Sequence, residues 1–309
     1  MPVARTLSAL TLLLLVAGCG GGVTSNSPSS TNTPTVPPPQ FSRVIVVVEE
    51  NTSYSQVVGS SAMPYLNSLA TQNGLATNYF ADTHPSIGNY FMMTTGQLIT
   101  NDDAFSGSVT ADNVVRQLTA AGKSWGVYAE GLPSTGYTGP DAYPYLKHHN
   151  PFAYFSDVTS DPMQAMKLVP FSNFAGDLAS NSLPQYTFVI PDVEDDAHDC
   201  PGGGNSCSED QKLAQADAWL KSNIGPLVTS SSFQTDGLLV ITFDEGSRTD
   251  ALHGGGQVAT VVVSPKAKKG FKSGTFYQHE NLLRLSLAGL GVNSFPGAAS
   301  NASAMGDFF

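Results

Sequence analysis

The run Arg43-Val44-Ile45-Val46-Val47-Val48 continues directly into Glu49-Glu50-Asn51. An unbroken series of β-branched residues is typical of a strand that is covered on both faces, as the strands of a parallel sheet are. Polar residues that begin where such a strand ends lie at the carboxyl edge of the sheet, where open α/β sheets bind ligands. This stretch therefore predicts an α/β fold with a polar site after its first strand.

Four further apolar runs have the length of strands, and segments with helical spacing alternate with them. We expect these strands at residues 124–129, 186–190, 237–243 and 258–263, and helices at residues 63–72, 86–95, 114–122, 208–224 and 279–290. Alternating strands and helices form a parallel sheet with helices on both faces. The sequence thus predicts a single domain at residues 41–309, folded as a three-layer α/β/α sandwich with a mostly parallel central sheet.

Residues 131–165 interrupt this alternation and are rich in Pro, Gly, Tyr and Asp. We expect a long excursion from the sheet there, in which His148 and His149 are candidates to touch a substrate. The aromatic residues of the excursion either form a lid over an organic leaving group or pack the excursion onto the domain. They are Tyr137, Tyr143, Tyr145, Phe152, Tyr154 and Phe155.

The N-terminal segment has the pattern of an export signal. An apolar run from Leu7 to Ala17 is too short for a comfortable membrane span and matches a secretory signal. Val16-Ala17-Gly18-Cys19 resembles a bacterial lipobox, which implies a signal peptide at residues 1–18 and lipidation of Cys19. An ordinary signal peptide with an incidental cysteine is the alternative. A lipobox implies an exported bacterial lipoprotein at the outer membrane, in the periplasm or at the cell surface.

Residues 20–40 carry no charge and show no periodicity, so we expect a flexible Ser/Thr/Pro/Gly tether over residues 19–40. The whole chain has 14 Lys and Arg against 25 Asp and Glu, a net charge of −11. Removal of residues 1–18 takes away Arg5 alone, which leaves 13 basic and 25 acidic residues, or −12. This balance argues against nucleic acid as a partner, because binding to its phosphates needs Lys and Arg. A phosphate ester stays compatible if a bound metal ion inverts the local charge.

Cys200 and Cys207 flank a glycine-rich segment and are the two cysteines that remain after Cys19. Export favours a disulfide between them. Free thiols and metal ligation are the alternatives, although two cysteines alone make a poor zinc site.

The stretch Thr83-His84-Pro85-Ser86-Ile87-Gly88-Asn89-Tyr90 predicts the start of a helix. Pro85 suits the first turn, and Ser86 would lie at the N-terminus, where free N–H groups and the helix dipole favour an anion. Asn89 comes three residues later and shares a face with Ser86. A hydroxyl and an amide in this position can hold a phosphoryl group. The alternative is that both residues are ordinary helix caps.

Carboxylates follow three of the predicted strands. They are Glu49 and Glu50 after the first; Asp192, Glu194, Asp195, Asp196 and Asp199, with His198, after the strand that ends at Ile190; and Asp244 and Glu245 after Phe243. So many negative charges at one edge are unfavourable unless a cation lies between them or some are protonated. Oxygen ligands suit Mg, Ca or Mn, and a nearby histidine extends the choice to Zn or Fe. The alternative for each carboxylate is a helix cap or a solvated loop position.

Taken in order, the motifs resemble those of the bacterial phosphoesterase family of acid phosphatase and phospholipase C type, within the alkaline phosphatase superfamily. The matching stretches are Glu50 to Tyr54, Thr83 to Tyr90, His198-Asp199, Thr242 to Gly246 and His279 to Arg284. The resemblance covers Ser42 to about Leu290 and implies an alkaline phosphatase-like fold. Relatives commonly have Pro in place of Gly88, so we expect a looser turn after Ser86.

The resemblance also implies roles for individual residues. One divalent metal ion (Mg, Ca, Mn, Zn or Fe) would be held by Glu50, Asn51, Ser86, Asp244 and Glu245. Ser86 aligns with the nucleophile, and Asn89 with the residue that holds a phosphoryl oxygen. The first candidate to protonate the leaving group is His198, and the others are His84 and His279. A possible second metal site would comprise Asp192, His198, Asp199 and His253.

The implied function is an acid phosphatase-like, metal-dependent hydrolysis of phosphate esters through a phosphoserine intermediate. The alternatives are a phospholipase C or phosphodiesterase of the same family, and a non-catalytic lipid-anchored binding protein on the same fold. A sulfatase is disfavoured because the chain has no Cys-x-Pro-x-Arg motif. We expect a monomer that meets a phosphate-ester small molecule or a phospholipid and reaches the membrane through Cys19.

Overall fold

The computed structural model describes residues 36–309 of the chain. The predicted signal peptide, the predicted lipidation site at Cys19 and residues 19–35 of the predicted tether lie outside the described residues. Residues 36–40 lie against the domain surface, with Pro38 buried and the Gln40 carbonyl accepting a 2.6 Å hydrogen bond from Lys266 Nζ. The folded part therefore begins before residue 41, because a segment without charge or periodicity can still bind a surface through its backbone.

One eight-stranded sheet forms the centre of the domain. Its strands are β1 Arg43–Glu49, β2 Gly74–Ala76, β3 Trp125–Ala129, β4 Leu168–Pro170, β5 Tyr186–Ile190, β6 Gly237–Phe243, β7 Thr260–Val263 and β8 Phe271–Ser273. They lie in the order β4-β3-β5-β1-β6-β7-β2-β8, and β7 runs antiparallel to β6 and β2 while the other neighbours are parallel. The fold is an α/β sandwich with a mostly parallel central sheet, as predicted.

Eleven α-helices occur in the described part of the chain. They are α1 Tyr54–Val57, α2 Pro64–Gln72, α3 Ser86–Thr95, α4 Val114–Ala120, α5 Ser156–Thr159, α6 Pro162–Ala165, α7 Phe174–Ala179, α8 Glu209–Trp219, α9 Gly225–Thr229, α10 Ser231–Asp236 and α11 His279–Gly289. Every residue of α3 is buried, and α11 packs against it. The five predicted helices are present, and the fourth passes from α8 into a π-helical turn at Leu220–Ile224.

The count of five strands was wrong, since β2, β4 and β8 were not predicted. Each is three residues long, which is too short to show a periodic pattern. The five long strands were located to within two residues at either end, because their continuous apolar runs are buried on both faces.

The register of the central strands places three loop starts side by side. Glu49 of β1 pairs with Phe243 of β6, and β5 lies on the other side of β1. Beyond the strand ends, Glu50 N donates to Asp196 O at 2.8 Å and Asp244 N donates to Glu49 O at 2.8 Å. The carboxyl edge of the sheet thus gathers residues from β1, β5 and β6 into one place.

The excursion at residues 131–165 packs onto the domain. Four of its six predicted lid aromatics, Tyr145, Phe152, Tyr154 and Phe155, are buried, and the Phe152 ring stacks on Trp125 with centroids 5.8 Å apart. Packing therefore accounts for these four residues, while Tyr143 stays exposed.

A disulfide joins Cys200 to Cys207, as predicted. Within residues 36–309 no helix combines the length and the apolar character that a membrane crossing needs.

Candidate active site

Ser86 is the first residue of α3, and its hydroxyl lies among carboxylates. Pro85 occupies the cap position without a side-chain hydrogen bond, and Ser86 Oγ donates to Glu50 Oε2 at 3.0 Å. The Ser86 hydroxyl is therefore directed into the site and does not cap its own helix.

At the start of α3, fewer backbone N–H groups are free to bind an anion than the sequence indicates. Ile87 N donates to Asp103 Oδ1 at 3.2 Å, so a carboxylate already occupies this part of the helix N-terminus. A Cβ atom at Gly88 would overlap the side chains of Asn101 and Thr83. Asn101 and Thr83 therefore pack closely around Gly88, and the expectation of a looser turn after Ser86 stays a prediction.

Glu50 lies at the centre of the site and is fully buried. Its Oε1 accepts a 2.6 Å hydrogen bond from Tyr90 Oη, and its Oε2 accepts one of 3.1 Å from Asn51 Nδ2 as well as that of Ser86. Burial, and then the charges of Asp244 and Asp196, raise the pKa of Glu50 well above its ordinary value, while the bond from Tyr90 lowers it.

Asp244 and Glu245 complete the acidic group at the end of β6. Asp244 Oδ1 accepts from Asn51 N at 3.0 Å, whereas Oδ2 is buried without a hydrogen-bond partner. Glu245 Oε2 accepts from Asn89 Nδ2 at 3.3 Å, and Oε1 lies 3.0 Å from His84 Nδ1. Burial, followed by the charges of Asp244 and Asp103, raises the pKa of Glu245 to about 10.

This donor set fits a divalent metal ion. Buried carboxylates with raised pKa values and an unpartnered Asp244 oxygen are a costly arrangement until a cation or protons neutralise them. Around Glu50, the described acidic and histidine side chains whose ligand atoms all lie within 4.8 Å of one another are Glu50, His149 and Asp196. Acidic and histidine residues at this edge can therefore hold a metal ion.

His149 was predicted only as a possible substrate contact and Asp196 only as a carboxylate after a strand, and neither was assigned to a metal site or a catalytic role. His149 Nε2 lies 3.4 Å from Glu50 Oε1, and His149 Nδ1 lies 3.6 Å from Asp196 Oδ2. The 3₁₀ turn Lys147–His149 carries the ring onto Tyr90, with centroids 5.3 Å apart and the planes nearly parallel. Adjacent histidines in the excursion were the signal in the sequence, but the contact depends on how this turn packs on α3.

Asn89 is held by its own loop. Its Oδ1 accepts from the backbone N–H groups of Asp82 and Thr83, and its Nδ2 donates to Thr83 O at 2.9 Å besides Glu245. Both amide protons are engaged, so binding of a phosphoryl oxygen by Asn89 would replace the bond to Glu245.

Two of the three histidines predicted as proton donors, His198 and His84, each pair with a carboxylate. His198 lies at the rim, with Nδ1 2.9 Å from Asp199 Oδ1 and its ring centroid 5.9 Å from that of His149. His84 is paired with Glu245, and its Nε2 lies 2.9 Å from Asp250 O.

His279 is fully buried, with Nε2 2.6 Å from Asp244 O and Nδ1 3.1 Å from Tyr79 Oη. Burial lowers the pKa of His279 to about 4. Because both ring nitrogens are occupied within the core, this geometry contradicts His279 as the proton donor and gives it a structural position behind Asp244.

The predicted second metal site is not assembled as one group. Asp192 contacts the loop of Glu194 and the side chain of Glu130, whereas His198 and Asp199 pair with each other. The His253 ring packs against Phe80 and Phe276, with centroids 4.4 and 4.9 Å away. Asp192 follows β5, whereas the loop of His253 follows β6 and is hydrogen-bonded to Ala81, beyond β2. The possible second site that the resemblance implied is therefore not formed by these residues.

Comparison with known proteins finds that the model of the Phosphoesterase family matches residues 60–288. A probable acid phosphatase of Kluyveromyces lactis is 31% identical over 243 residues, a match that spans 76% of this chain and 54% of that protein. A phosphate-repressible acid phosphatase of Penicillium chrysogenum is 32% identical, with 74% and 55% covered. The chain thus spans about half the length of these two relatives. A phosphatidylinositol-3-phosphatase of Mycobacterium tuberculosis is 30% identical, with 76% and 72% covered.

Solved structures share the fold at much lower identity. A protein in the alkaline phosphatase superfamily from Vibrio parahaemolyticus has a TM-score of 0.61 at 12% identity and covers 86% of this chain and 71% of its own. A phosphonate monoester hydrolase of Agrobacterium radiobacter has a TM-score of 0.54 at 14% identity, with 81% and 74% covered. Both likenesses concern the architecture of the sheet and its helices.

Proposed function

The chain belongs to the Phosphoesterase family, and from that premise we propose that it hydrolyses phosphate esters with Ser86 as the nucleophile and a divalent metal ion as cofactor. The observation that carries the proposal is the 3.0 Å hydrogen bond from Ser86 Oγ, at the N-terminus of α3, to the buried carboxylate of Glu50. This contact supports Ser86 as the attacking hydroxyl and Glu50 as the base that accepts its proton. Glu50 also belongs to the carboxylates proposed to bind the cation.

The residues that would hold the ion are Glu50, Asn51, Asp244 and Glu245, with the Ser86 hydroxyl beside them. When bound, a divalent cation lowers the pKa of a coordinated hydroxyl and neutralises charge on phosphoryl oxygens. The candidate ions are Mg, Ca, Mn, Zn and Fe. Because most of the donors are oxygen atoms, the hard ions Mg, Ca and Mn are favoured. His149 and Asp196 extend the same group toward the excursion.

In the proposed reaction Ser86 Oγ attacks phosphorus as its proton passes to Glu50, and the bond from phosphorus to the leaving oxygen breaks. His198 protonates that oxygen, with its Nδ1 held by Asp199, and a water later hydrolyses the phosphoserine. His84 is the second candidate donor, because its Nδ1 lies next to Glu245. Asn89 and the α3 N-terminus position the phosphoryl oxygens, since positioning and electrostatics dominate phosphoryl transfer.

Small phosphate monoesters are the proposed substrates, supported by the acid phosphatase relatives. A phospholipid headgroup is the second candidate, favoured by the phosphatidylinositol-3-phosphatase relative, which the chain matches over 72% of its length. We also propose export as a lipoprotein anchored through Cys19, supported by the lipobox resemblance. Mass spectrometry of the mature N-terminus, with a Cys19→Ala variant as control, tests the anchor.

The test of the reaction is hydrolysis of p-nitrophenyl phosphate and of bis(p-nitrophenyl) phosphate, with and without chelator, by the wild type and by Ser86→Ala. Ser55→Ala is the matched control because Ser55 is exposed. Turnover that needs a metal ion and disappears in Ser86→Ala supports the assignment, and trapping of labelled phosphate on Ser86 identifies the intermediate. Turnover that survives in Ser86→Ala, or no turnover of either ester with any of the five metals, would overturn it and favour a non-catalytic binder.

A further inference from the structure

A second group of carboxylates lies at the same edge of the sheet and shares no residue with the candidate active site. Glu130 follows β3, and Asp192 and Asp195 follow β5, which is the parallel neighbour of β3. Ala129 pairs with Ile190, so the residues after these strands start side by side. Ligand oxygens of Glu130, Asp192 and Asp195 lie within 4.8 Å of one another.

Backbone and amide donors orient these three side chains. Asp192 N donates to Glu130 Oε2 at 3.2 Å, and Asp192 Oδ1 accepts from Glu194 N at 3.0 Å. Gln215 Nε2 of α8 donates to Asp195 Oδ1 at 2.6 Å. Each of the three carboxylates therefore accepts a hydrogen bond, through one of its oxygens, from a donor that fixes its position.

Glu49 provides a second, independent observation. It is fully buried at the end of β1, the neighbour of β5, and neither of its carboxylate oxygens has a hydrogen-bond partner. Val47 of β1 pairs with Val189 of β5, so Glu49, two residues further along, lies beside the start of the loop that carries Asp192 and Asp195. None of the ion pairs found within residues 36–309 involves Glu49, Glu130, Asp192 or Asp195. A buried carboxylate without a hydrogen-bond partner, next to a cluster of further carboxylates, calls for a cation.

The chemistry of the donors selects the cation. All four side chains offer oxygen, and neither histidine nor cysteine contributes, which suits a hard ion. Calcium accepts six to eight oxygens at about 2.3–2.6 Å in irregular geometry, whereas magnesium demands a near-ideal octahedron. The three outer ligands come from two separate loops and are half-buried, which leaves room for waters. We propose that Glu130, Asp192 and Asp195 bind a calcium ion, with Glu49 as the buried charge behind it.

Such an ion would organise the loop after β5. The same loop carries Asp196, which faces His149, and His198 at the rim of the active site. A calcium ion bound to Asp192 and Asp195 would fix this loop against the end of β3. The site is thus structural, and its existence does not depend on the reaction proposed above.

The experiment measures calcium binding to the full chain, purified in detergent, by equilibrium dialysis and by the calcium-induced rise in melting temperature. The variants are Asp195→Asn, which keeps an acceptor for Gln215, and Glu194→Gln, which removes the same charge from the same loop. Asp244→Asn separates binding at the active site from binding at the cluster. We expect Asp195→Asn to weaken one class of calcium sites by about tenfold or more, while Glu194→Gln and Asp244→Asn retain it.

Terbium gives a readout that locates the ion. The Trp219 indole lies close enough to Glu130 to lower the pKa of that carboxyl, so tryptophan excitation should sensitise a terbium ion held there. The signal should disappear in Asp195→Asn and in Trp219→Phe and persist in Asp244→Asn. If Asp195→Asn does not fold, Glu130→Gln replaces it with the same expectation. Calcium binding and terbium luminescence that are unchanged in both ligand variants would overturn the proposal and mean that shared protons neutralise the cluster.

Discussion

Glu49 and Glu50 are adjacent in the chain and both fully buried, yet they face two different groups of carboxylates. Glu49 is the last residue of β1 and Glu50 is the first residue beyond it, so a single step along the chain separates the two environments. Glu50 receives hydrogen bonds from Ser86, Tyr90 and Asn51. Glu49 receives none, and the groups that act on it are acids.

The difference shows that carboxylates alone do not define an active site. The Glu50 group includes the Ser86 hydroxyl at a helix N-terminus, which can attack phosphorus. Histidines lie nearby and can carry protons. The Glu130 group also consists of Glu and Asp side chains at this sheet edge, but it contains neither a nucleophile nor a histidine. Its donors can bind an ion and stabilise a loop, and they have no means of transferring a phosphoryl group.

The largest expected effect comes from Glu50→Gln. The glutamine cannot take the Ser86 proton as a carboxylate does and is a poorer metal ligand, so kcat/KM for a phosphate monoester should fall by about a thousandfold or more. The measurement is steady-state hydrolysis with saturating metal, with Glu209→Gln as the control because Glu209 is exposed at the start of α8. Activity of Glu50→Gln within tenfold of the wild type would contradict the role proposed for Glu50 as base and metal ligand.

A smaller loss is expected from His149→Asn. His149 is neutral, because burial and the nearby His148 and His198 hold its pKa well below the ordinary value. It contacts Glu50 and Asp196 as a neutral imidazole, so its removal should weaken metal binding at the active site by about 10–100-fold. Metal titration of activity checks this, with His148→Asn as the neighbouring control. Equal effects of the two substitutions would show that the Glu50 contact has no special role.

Stability should depend on pH more strongly without a bound cation than with one. The folded-state pKa of Glu245 is raised to about 10 and that of Glu130 to about 7, both by burial first, so the folded chain binds more protons than the unfolded chain above pH ~5. In chelator, the free energy of unfolding should therefore fall as pH rises from about 5 to 9, by at most about 1.4 kcal/mol per pH unit for buried Glu245.

Added calcium or magnesium should flatten this decline, because the ion replaces the protons. Urea unfolding at several pH values, with chelator and with each metal, provides the measurement. A free energy that rises with pH in chelator would mean that these carboxyl groups are not protonated in the folded state.

The smallest expected effect is a gain in substrate affinity, in contrast to the losses predicted above. Asp103 accepts the Ile87 N–H at the point where the phosphoryl group is proposed to bind, and its charge also acts on Glu245. Asp103→Asn should lower KM for a monoester and the inhibition constant for inorganic phosphate by about threefold, in line with the typical strength of a charge at a helix end. Asp102→Asn, next to it and exposed, should change neither constant. A rise in KM for Asp103→Asn would show that this carboxylate helps substrate to bind.

The sequence was most informative where one buried run decides the structure. The β-branched run of β1 located the sheet, and Ser86 was correctly placed at a helix start near carboxylates from β1 and β6. Both results depend on patterns contained in single segments. The disulfide between Cys200 and Cys207 was also predicted, from expected export and a spacing that permits it, with free thiols and metal ligation as alternatives.

What the sequence did not predict depends on the directions of side chains beyond the ends of strands. Asp192, Asp195 and Asp196 are close in one loop, yet the first two turn to Glu130 and the third faces His149. Hydrophobic periodicity stops where the strand stops, so nothing in the sequence fixes these directions. The position of His149 likewise requires the packing of a short turn from the excursion against α3.

The carboxylate of Asp103 at the start of α3 has a further consequence for selectivity. On the proposed mechanism, a substrate must displace a resident single negative charge from the helix N-terminus. A phosphate monoester above pH ~6 carries nearly two charges and a diester carries one, so the monoester gains more from the exchange. On this mechanism the Asp103 carboxylate would compete with the substrate for the N-terminus of α3, and substrates with more negative charge would displace it more readily. The ratio of kcat/KM for monoesters to that for diesters should decrease at acidic pH, because protonation leaves the monoester with a single negative charge.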